Sequence, residues 1–295
     1  MANAAASIVA GLADCVVVFR ALTQDQHGRF GQVSGIEIVF GEKAYLMPYG
    51  VLAPPQRFAM KVQRYMHEHG VSQGALRAIA LASYHHAQSN PRAVMHGKPL
   101  DVEKYDASRW IVEPFHLYDC CMENDGAAAL VLVAEERAHE FRQKPVFVLG
   151  AAMGSGHRSG AIPHNAPHYA SAGFDTVAPD LYRMAGLGPS DVGTVQAYEN
   201  FTGGVVMALA EHGFFKPEQA NDFLTLENLI APRGQLPLNT SGGNLAECYM
   251  HGLEAVRQVR GTSTNQVKRN DVAMVIGGPM VTPASNLLLG SDAVR

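Results

Sequence analysis

Apolar positions in this chain fall into two patterns, stretches with a period of about 3.6 residues and short unbroken runs, which together predict a mixed α/β fold. Ile8, Val9 and Leu12 keep helical spacing in an Ala-rich segment, so a buried helix is expected over 3–14, feeding a buried strand over 15–19. Phe58, Val62, Tyr65 and Met66 predict an amphipathic helix over 56–70, stopped by Gly70. The next helix, over 73–88, ends at Asn90-Pro91, because a residue before proline is pushed out of the α region. A short helix over 101–110, an extended entry over 111–115 and a buried strand over 127–135 follow. The 28–50 region reads as an ordinary surface connection.

Near 142–145 the chain turns polar and restarts with Val146-Phe-Val-Leu149, which places a boundary between two halves, 1–142 and 143–295. The second half is expected to hold a loop over 151–172, a helix about 179–185, a strand over 194–198 and a helix over 203–212. It closes with a helix over 246–259 and a strand over 272–276. That last helix and strand echo those over 3–14 and 15–19, a weak internal repeat resting on element order rather than on matched residues.

Composition narrows the class. With 47% hydrophobic and 17% charged residues among 295, the chain can bury a sizeable core and is not disordered. A net charge of −4 without a dense basic run argues against nucleic acid as a partner. The longest apolar stretches, 127–134 and 272–278, fall short of the roughly 18–20 residues of a membrane span, and no signal peptide is visible. Four cysteines without a paired framework suit a reducing compartment, so a cytoplasmic protein is expected.

His67 with His69, and the pair His85-His86, raise the question of a metal, but no further ligand falls into spacing beside them, so none is expected. Ser241-Gly242-Gly243-Asn244 opens the helix expected over 246–259, and a glycine-rich turn there is a natural place for an anion or a developing oxyanion. It is neither G-x-G-x-x-G nor a P-loop, which disfavours nucleotide binding. Tyr198 ends a strand and Tyr249 lies in the first turn of a helix, so two phenols stand on element ends that can converge.

Four segments in order carry a resemblance: Ser83-Tyr-His-His-Ala-Gln-Ser-Asn-Pro-Arg-Ala93, Tyr118-Asp-Cys-Cys-Met-Glu-Asn-Asp-Gly-Ala-Ala128, Ala197-Tyr-Glu-Asn-Phe201 and Asn239-Thr-Ser-Gly-Gly-Asn244. With these the chain resembles the thiolase superfamily over nearly its whole length, in the branch of sterol-carrier-protein-X-type thiolases and lipid-transfer aldolases. The resemblance implies a five-layer α-β-α-β-α fold of two similar halves, the first half incomplete. It also implies an acyl-CoA substrate with coenzyme A as part of the substrate and no bound cofactor, a homodimer, and a small zinc-ribbon and OB-fold partner protein.

The departures from the family pattern carry the chemistry. Thiolases of this kind resemble the chain at Tyr198 with an Asn or His, and at Tyr249 with the His of a Gly-His-Pro motif. Their C-terminal catalytic cysteine would fall around Val275-Ile276, before Gly277-Gly278, where no cysteine stands. Their nucleophilic cysteine precedes the helix matching 4–11, so the chain is expected to lack the N-terminal quarter of the family fold and to expose a sheet edge. Thiolysis needs a thiolate and a second acid/base group. Retro-aldol cleavage of a β-hydroxyacyl-CoA needs a base for the hydroxyl, donors for the enolate and an acid, duties that tyrosines can perform.

By resemblance, Tyr249 acts as the acid on the enolate and Tyr198 on the β-hydroxyl, with the roles open to exchange, while Ser241, Gly242, Gly243, Asn244, Gly277 and Gly278 form the substrate and oxyanion loops. The expected function is retro-aldol cleavage of a bulky, steroid-like β-hydroxyacyl-CoA. A thiolytic acyltransferase, with Cys248 as substitute nucleophile, and a non-catalytic lipid-binding or complex subunit are the alternatives.

Overall fold

The computed structural model describes residues 1–23, 39–156, 168–248 and 251–294. Tyr249, much of the 28–50 connection and the middle of the 151–172 loop lie outside the described residues.

The first half opens with α1 (Ala2–Val9) and β1 (Cys15–Leu22), followed by α2 (Pro54–His69), α3 (Gln73–Gln88) and α4 (Val102–Asp106). Asp101 caps α4, its carboxylate accepting the Lys104 amide at 2.7 Å. A short hairpin, β2 (Trp110–Val112) and β3 (Phe115–His116), leads to β4 (Gly126–Val133). The second half holds β5 (Phe147–Gly154), α5 (Ala178–Ala185), β6 (Thr194–Ala197), α6 (Thr202–Glu211), the single turns α7 (Ala220–Phe223), α8 (Leu226–Leu229) and α9 (Gly243–Ala246), then α10 (His251–Arg260), β7 (Val272–Gly277) and β8 (Ala284–Gly290).

Two sheets organise the molecule. β1 pairs antiparallel with β4 in a two-stranded ribbon, Val17 opposite Val131 and Phe19 opposite Ala129. The other sheet has the order β5-β8-β7-β6, with only β6 and β7 parallel among its neighbours. Strand side chains alternate between faces. Met274, Ile276 and Leu288 therefore join a core with α2, α3, α5 and α6, while Ala273, Leu287 and Leu289 join Ala255, Val256 and Val259 of α10. Leu130 of β4 packs into that second core.

α1 and α10 touch strands of both sheets and form the layer between them. The described layers thus run ribbon, α1 with α10, four-stranded sheet, and α5 with α6: an α/β fold with four of the five layers expected, the outer layer on the ribbon side having no described element. No described element lies over the ribbon's outer face, where Val17, Phe19 and Val131 are 57%, 72% and 58% exposed.

Four expectations differ from the structure. The helix over 3–14 is shorter and covered on one side only: α1 buries Ala4 alone, and Val9 and Leu12 are exposed. The strands expected as buried, β1 and β4, alternate between a covered and an open face. The loop expected from residue 151 begins later, because 151–154 continue β5 against 284–287 of β8, a strand the sequence did not announce. The single helix expected over 246–259 is also broken, with α9 ending at Ala246 and α10 starting at His251. The break follows from Glu247, which turns inward to accept Asn90 Nδ2 at 2.9 Å, and from Cys248, whose Sγ packs on Gly126.

Candidate active site

The four motif segments, scattered over 160 positions of sequence, are stitched together by direct hydrogen bonds. Cys120 bridges Phe201, and the Cys121 amide donates to the Asn200 carbonyl at 3.0 Å. Asn90 Nδ2 donates to the Ser241 carbonyl at 2.9 Å, and the Met95 amide to the Ala246 carbonyl at 3.0 Å. Asp119 is the buried anchor. Its Oδ1 accepts the Thr202 hydroxyl at 2.6 Å at the start of α6, and its Oδ2 accepts the Tyr105 hydroxyl at 2.6 Å and the His116 amide at 2.8 Å. Burial pushes this carboxyl up to about 6 despite those donors.

Tyr198 stands one residue past β6, and its amide donates to the Ile276 carbonyl at 2.8 Å. It therefore lies at the carboxyl end of the two parallel strands, next to Gly277, a position that open α/β sheets commonly use for ligands. The residue is half-buried. The Arg20 guanidinium of β1 lies 5.9 Å from its ring centre and the His251 ring lies 5.8 Å away, tilted by 55°.

Beside it, Glu199 is fully buried. Its Oε2 meets His251 Nε2 at 2.8 Å, and its Oε1 accepts the Leu245 amide at 3.4 Å while lying against the Cα of Gly243. The anion beside the glycine-rich turn is thus the protein's own carboxylate. α9 is a single turn rather than the start of a long helix.

Among the expected site residues, the structure brings Tyr198, Gly243, Asn244 and Gly277 to one place. Asn244 is buried, and neither side-chain amide atom has a partner among the described residues. Ser241 and Gly242 turn the other way: a Cβ on Gly242 would sit 3.1 Å from Ala87 of α3. Gly278 closes a turn with the Val281 amide donating to its carbonyl at 3.0 Å. Tyr249 lies in the undescribed step between Cys248 and His251, both of which are placed.

Sequence reasoning passed over Glu199 and His251. The available signal was an ionisable residue directly after a run of strand residues with no exposed position, where a charge needs a partner.

The cysteines lack the character of nucleophiles. Burial, then the Glu199 and Glu123 charges, push the Cys121 thiol up to about 12, with Arg20 opposing, and burial pushes Cys120 up as well. Cys248 is buried, with its Sγ 3.7 Å from the Asp125 carbonyl oxygen, and Cys15 lies exposed on the ribbon. Of the histidines weighed as ligands, His86 is a buried acceptor for the Ala231 amide at 2.9 Å, kept neutral by burial. No helix among the described residues is long and apolar enough to cross a membrane.

Comparison with known proteins shows the family. The family model described as thiolase C-terminal domain-like matches residues 154–291. The steroid side-chain-cleaving aldolase of Thermomonospora curvata is 39% identical over 304 residues, 98% of this chain and 76% of the relative. The 17-hydroxy-3-oxo-4-pregnene-20-carboxyl-CoA lyase of Mycobacterium tuberculosis is 37% identical over 299 residues, 98% of this chain and 77% of the relative. The solved Ltp2-ChsH2(DUF35) aldolase superposes with a TM-score of 0.89 at 38% identity, covering 99% of this chain and 76% of that one. The chain belongs to the thiolase superfamily, in the branch that joins sterol-carrier-protein-X-type thiolases to the side-chain-cleaving lipid-transfer aldolases.

Proposed function

We propose that the chain catalyses retro-aldol cleavage of a bulky, steroid-type β-hydroxyacyl-CoA. The observation that carries this reading is Tyr198, a half-buried phenol at the carboxyl end of β6 and β7, in a site whose neighbouring thiols are held protonated. The names of the two relatives above support the steroid class of substrate.

The bond changes balance without a covalent intermediate. A base takes the β-hydroxyl proton, the oxygen's electron pair becomes a ketone carbonyl, and the Cα–Cβ bond breaks with its electrons passing into the thioester enolate. An acid then protonates the α carbon and releases a shortened acyl-CoA. A phenol with an ordinary pKa of about 10 is protonated near neutrality and suits the acid and donor duties; it serves as base once it has given up its proton. Tyr198 acts on the β-hydroxyl and Tyr249 on the enolate. Asn244, with its amide uncommitted, and the Gly243 and Gly277 turns belong to the surroundings of the thioester oxygen. Coenzyme A enters as part of the substrate.

The reading includes a partner: the related solved structure is an Ltp2-ChsH2(DUF35) aldolase, a name that supports a second subunit. The family resemblance makes that subunit a small zinc-ribbon and OB-fold protein beside a homodimer of this chain. To test it, the chain is incubated with a steroid β-hydroxyacyl-CoA, alone and with the partner subunit, and the products are resolved by mass spectrometry. Formation of the ring ketone together with a shortened acyl-CoA is expected. Thiolytic cleavage of an open-chain β-ketoacyl-CoA by added free coenzyme A, with the β-hydroxy compound untouched, would make the chain a thiolase instead.

A further inference from the structure

Glu199 and His251 are used by nothing in the reaction above, yet they are buried and hydrogen-bonded to each other beside Tyr198. A carboxylate removed from water costs several kcal/mol unless it is paired and hydrogen-bonded. Among the described residues the ion-pair partner of Glu199 is His251, at 2.8 Å. Glu199 directly follows Tyr198, and His251 opens α10 two positions after Tyr249. The pair therefore joins the strand end that holds Tyr198 to the start of α10, two sequence positions after Tyr249, and the Leu245 amide adds a third attachment through Oε1.

We propose that Glu199 and His251 are positioning residues for the tyrosine chemistry, a brace that fixes Tyr198 against the start of α10. This rests on the tyrosine reading given above. Near the pair lie Arg20 of β1, over the Tyr198 ring, and Cys121 from the segment before β4, close enough to sense the Glu199 charge. The brace acts through geometry, so its loss falls on kcat and leaves substrate affinity in place, because misplacing a reacting group by about 1 Å costs on the order of 100-fold in rate.

The test compares kcat and KM for three variants assayed with the partner subunit present. His251→Ala is expected to lose about 100-fold in kcat with KM within about threefold of wild type, and His251→Gln to recover about tenfold of that loss. Glu199→Gln keeps the size of the side chain, the bond to the Leu245 amide and a bond to His251, so it folds even where alanine does not, and it stays within about tenfold of wild-type kcat. A His251→Ala enzyme with wild-type kcat, or a His251→Gln enzyme no better than alanine, overturns the brace. A Glu199→Gln loss as deep as that of Tyr198→Phe overturns it too, and makes Glu199 a proton donor or acceptor in its own right. A wild-type complex that leaves the substrate uncleaved overturns the aldolase reading, and the brace with it.

Discussion

Tyr198→Phe is expected to lower kcat for cleavage of the steroid β-hydroxyacyl-CoA by about 1000-fold, within the range by which positioned acids and bases accelerate reactions. That corresponds to about 4 kcal/mol of barrier. The substitution removes one oxygen and keeps the ring, so the contacts with the His251 ring and the Arg20 guanidinium remain. Stability is therefore expected to fall by no more than about 1.5 kcal/mol, the net worth of one hydrogen bond, and circular dichroism with urea unfolding checks this. Tyr249→Phe is expected to show a loss of the same order. A Tyr198→Phe enzyme that is folded and fully active would remove the phenol from the mechanism.

The second large effect is structural. Gly243 has φ of 58°, and a Cβ there would lie 1.7 Å from Glu199 Oε1 and 3.0 Å from Asn239 Nδ2. Glu199 is held by His251 and the Leu245 amide, so it can yield only by breaking the brace. Gly243→Ala combines about 1–2 kcal/mol for a left-handed alanine with about 1–3 kcal/mol of forced repacking. We expect about 2–5 kcal/mol of lost stability in urea unfolding, accompanied by loss of activity even where the protein remains folded. Gly70→Ala is the control, since it shares a φ of 66° but would meet nothing within 4 Å, so only the first cost applies. Equal destabilisation of the two variants would mean that the contact with Glu199 carries no energy.

The helices legible in the sequence were marked in two ways. α2 buries one side, which the 3.6-residue repeat reports directly, whereas α3 is buried nearly all round and is marked by its apolar length between Gly70 and Asn90-Pro91. β8 was missed because 287–289 are leucines buried on both faces, which leaves no alternation to read, and its neighbours are serine and asparagine. The extension of β5 is written in glycine and alanine, residues poor in strand propensity, and only the pairing with β8 makes it a strand. Val9, Leu12, Val17 and Phe19 announced burial by composition, but no described element covers them.

The site divides in the same way. Tyr198 was legible because it ends a strand of its own, and the glycine-rich turn because its composition is local. The Glu199–His251 pair was not, because its members are 52 residues apart and their meeting is set by how the strand end packs against the break between α9 and α10. The same break made the helix over 246–259 look continuous in sequence. What replaced an external anion at the glycine turn, the Glu199 carboxylate, likewise depends on a contact between segments that no local pattern encodes.

The most direct test of the central claim is the dependence of cleavage on free coenzyme A. Steroid β-hydroxyacyl-CoA is mixed with the chain and its partner subunit in buffer scrubbed of free coenzyme A, and ketone release is timed while added coenzyme A is titrated in and its thiol quantified. Retro-aldol chemistry predicts full-rate ketone release with no coenzyme A present and none consumed when it is added. No ketone release from the β-hydroxy compound under any condition, with one equivalent of coenzyme A consumed per turnover when an open-chain β-ketoacyl-CoA is supplied instead, would contradict the account.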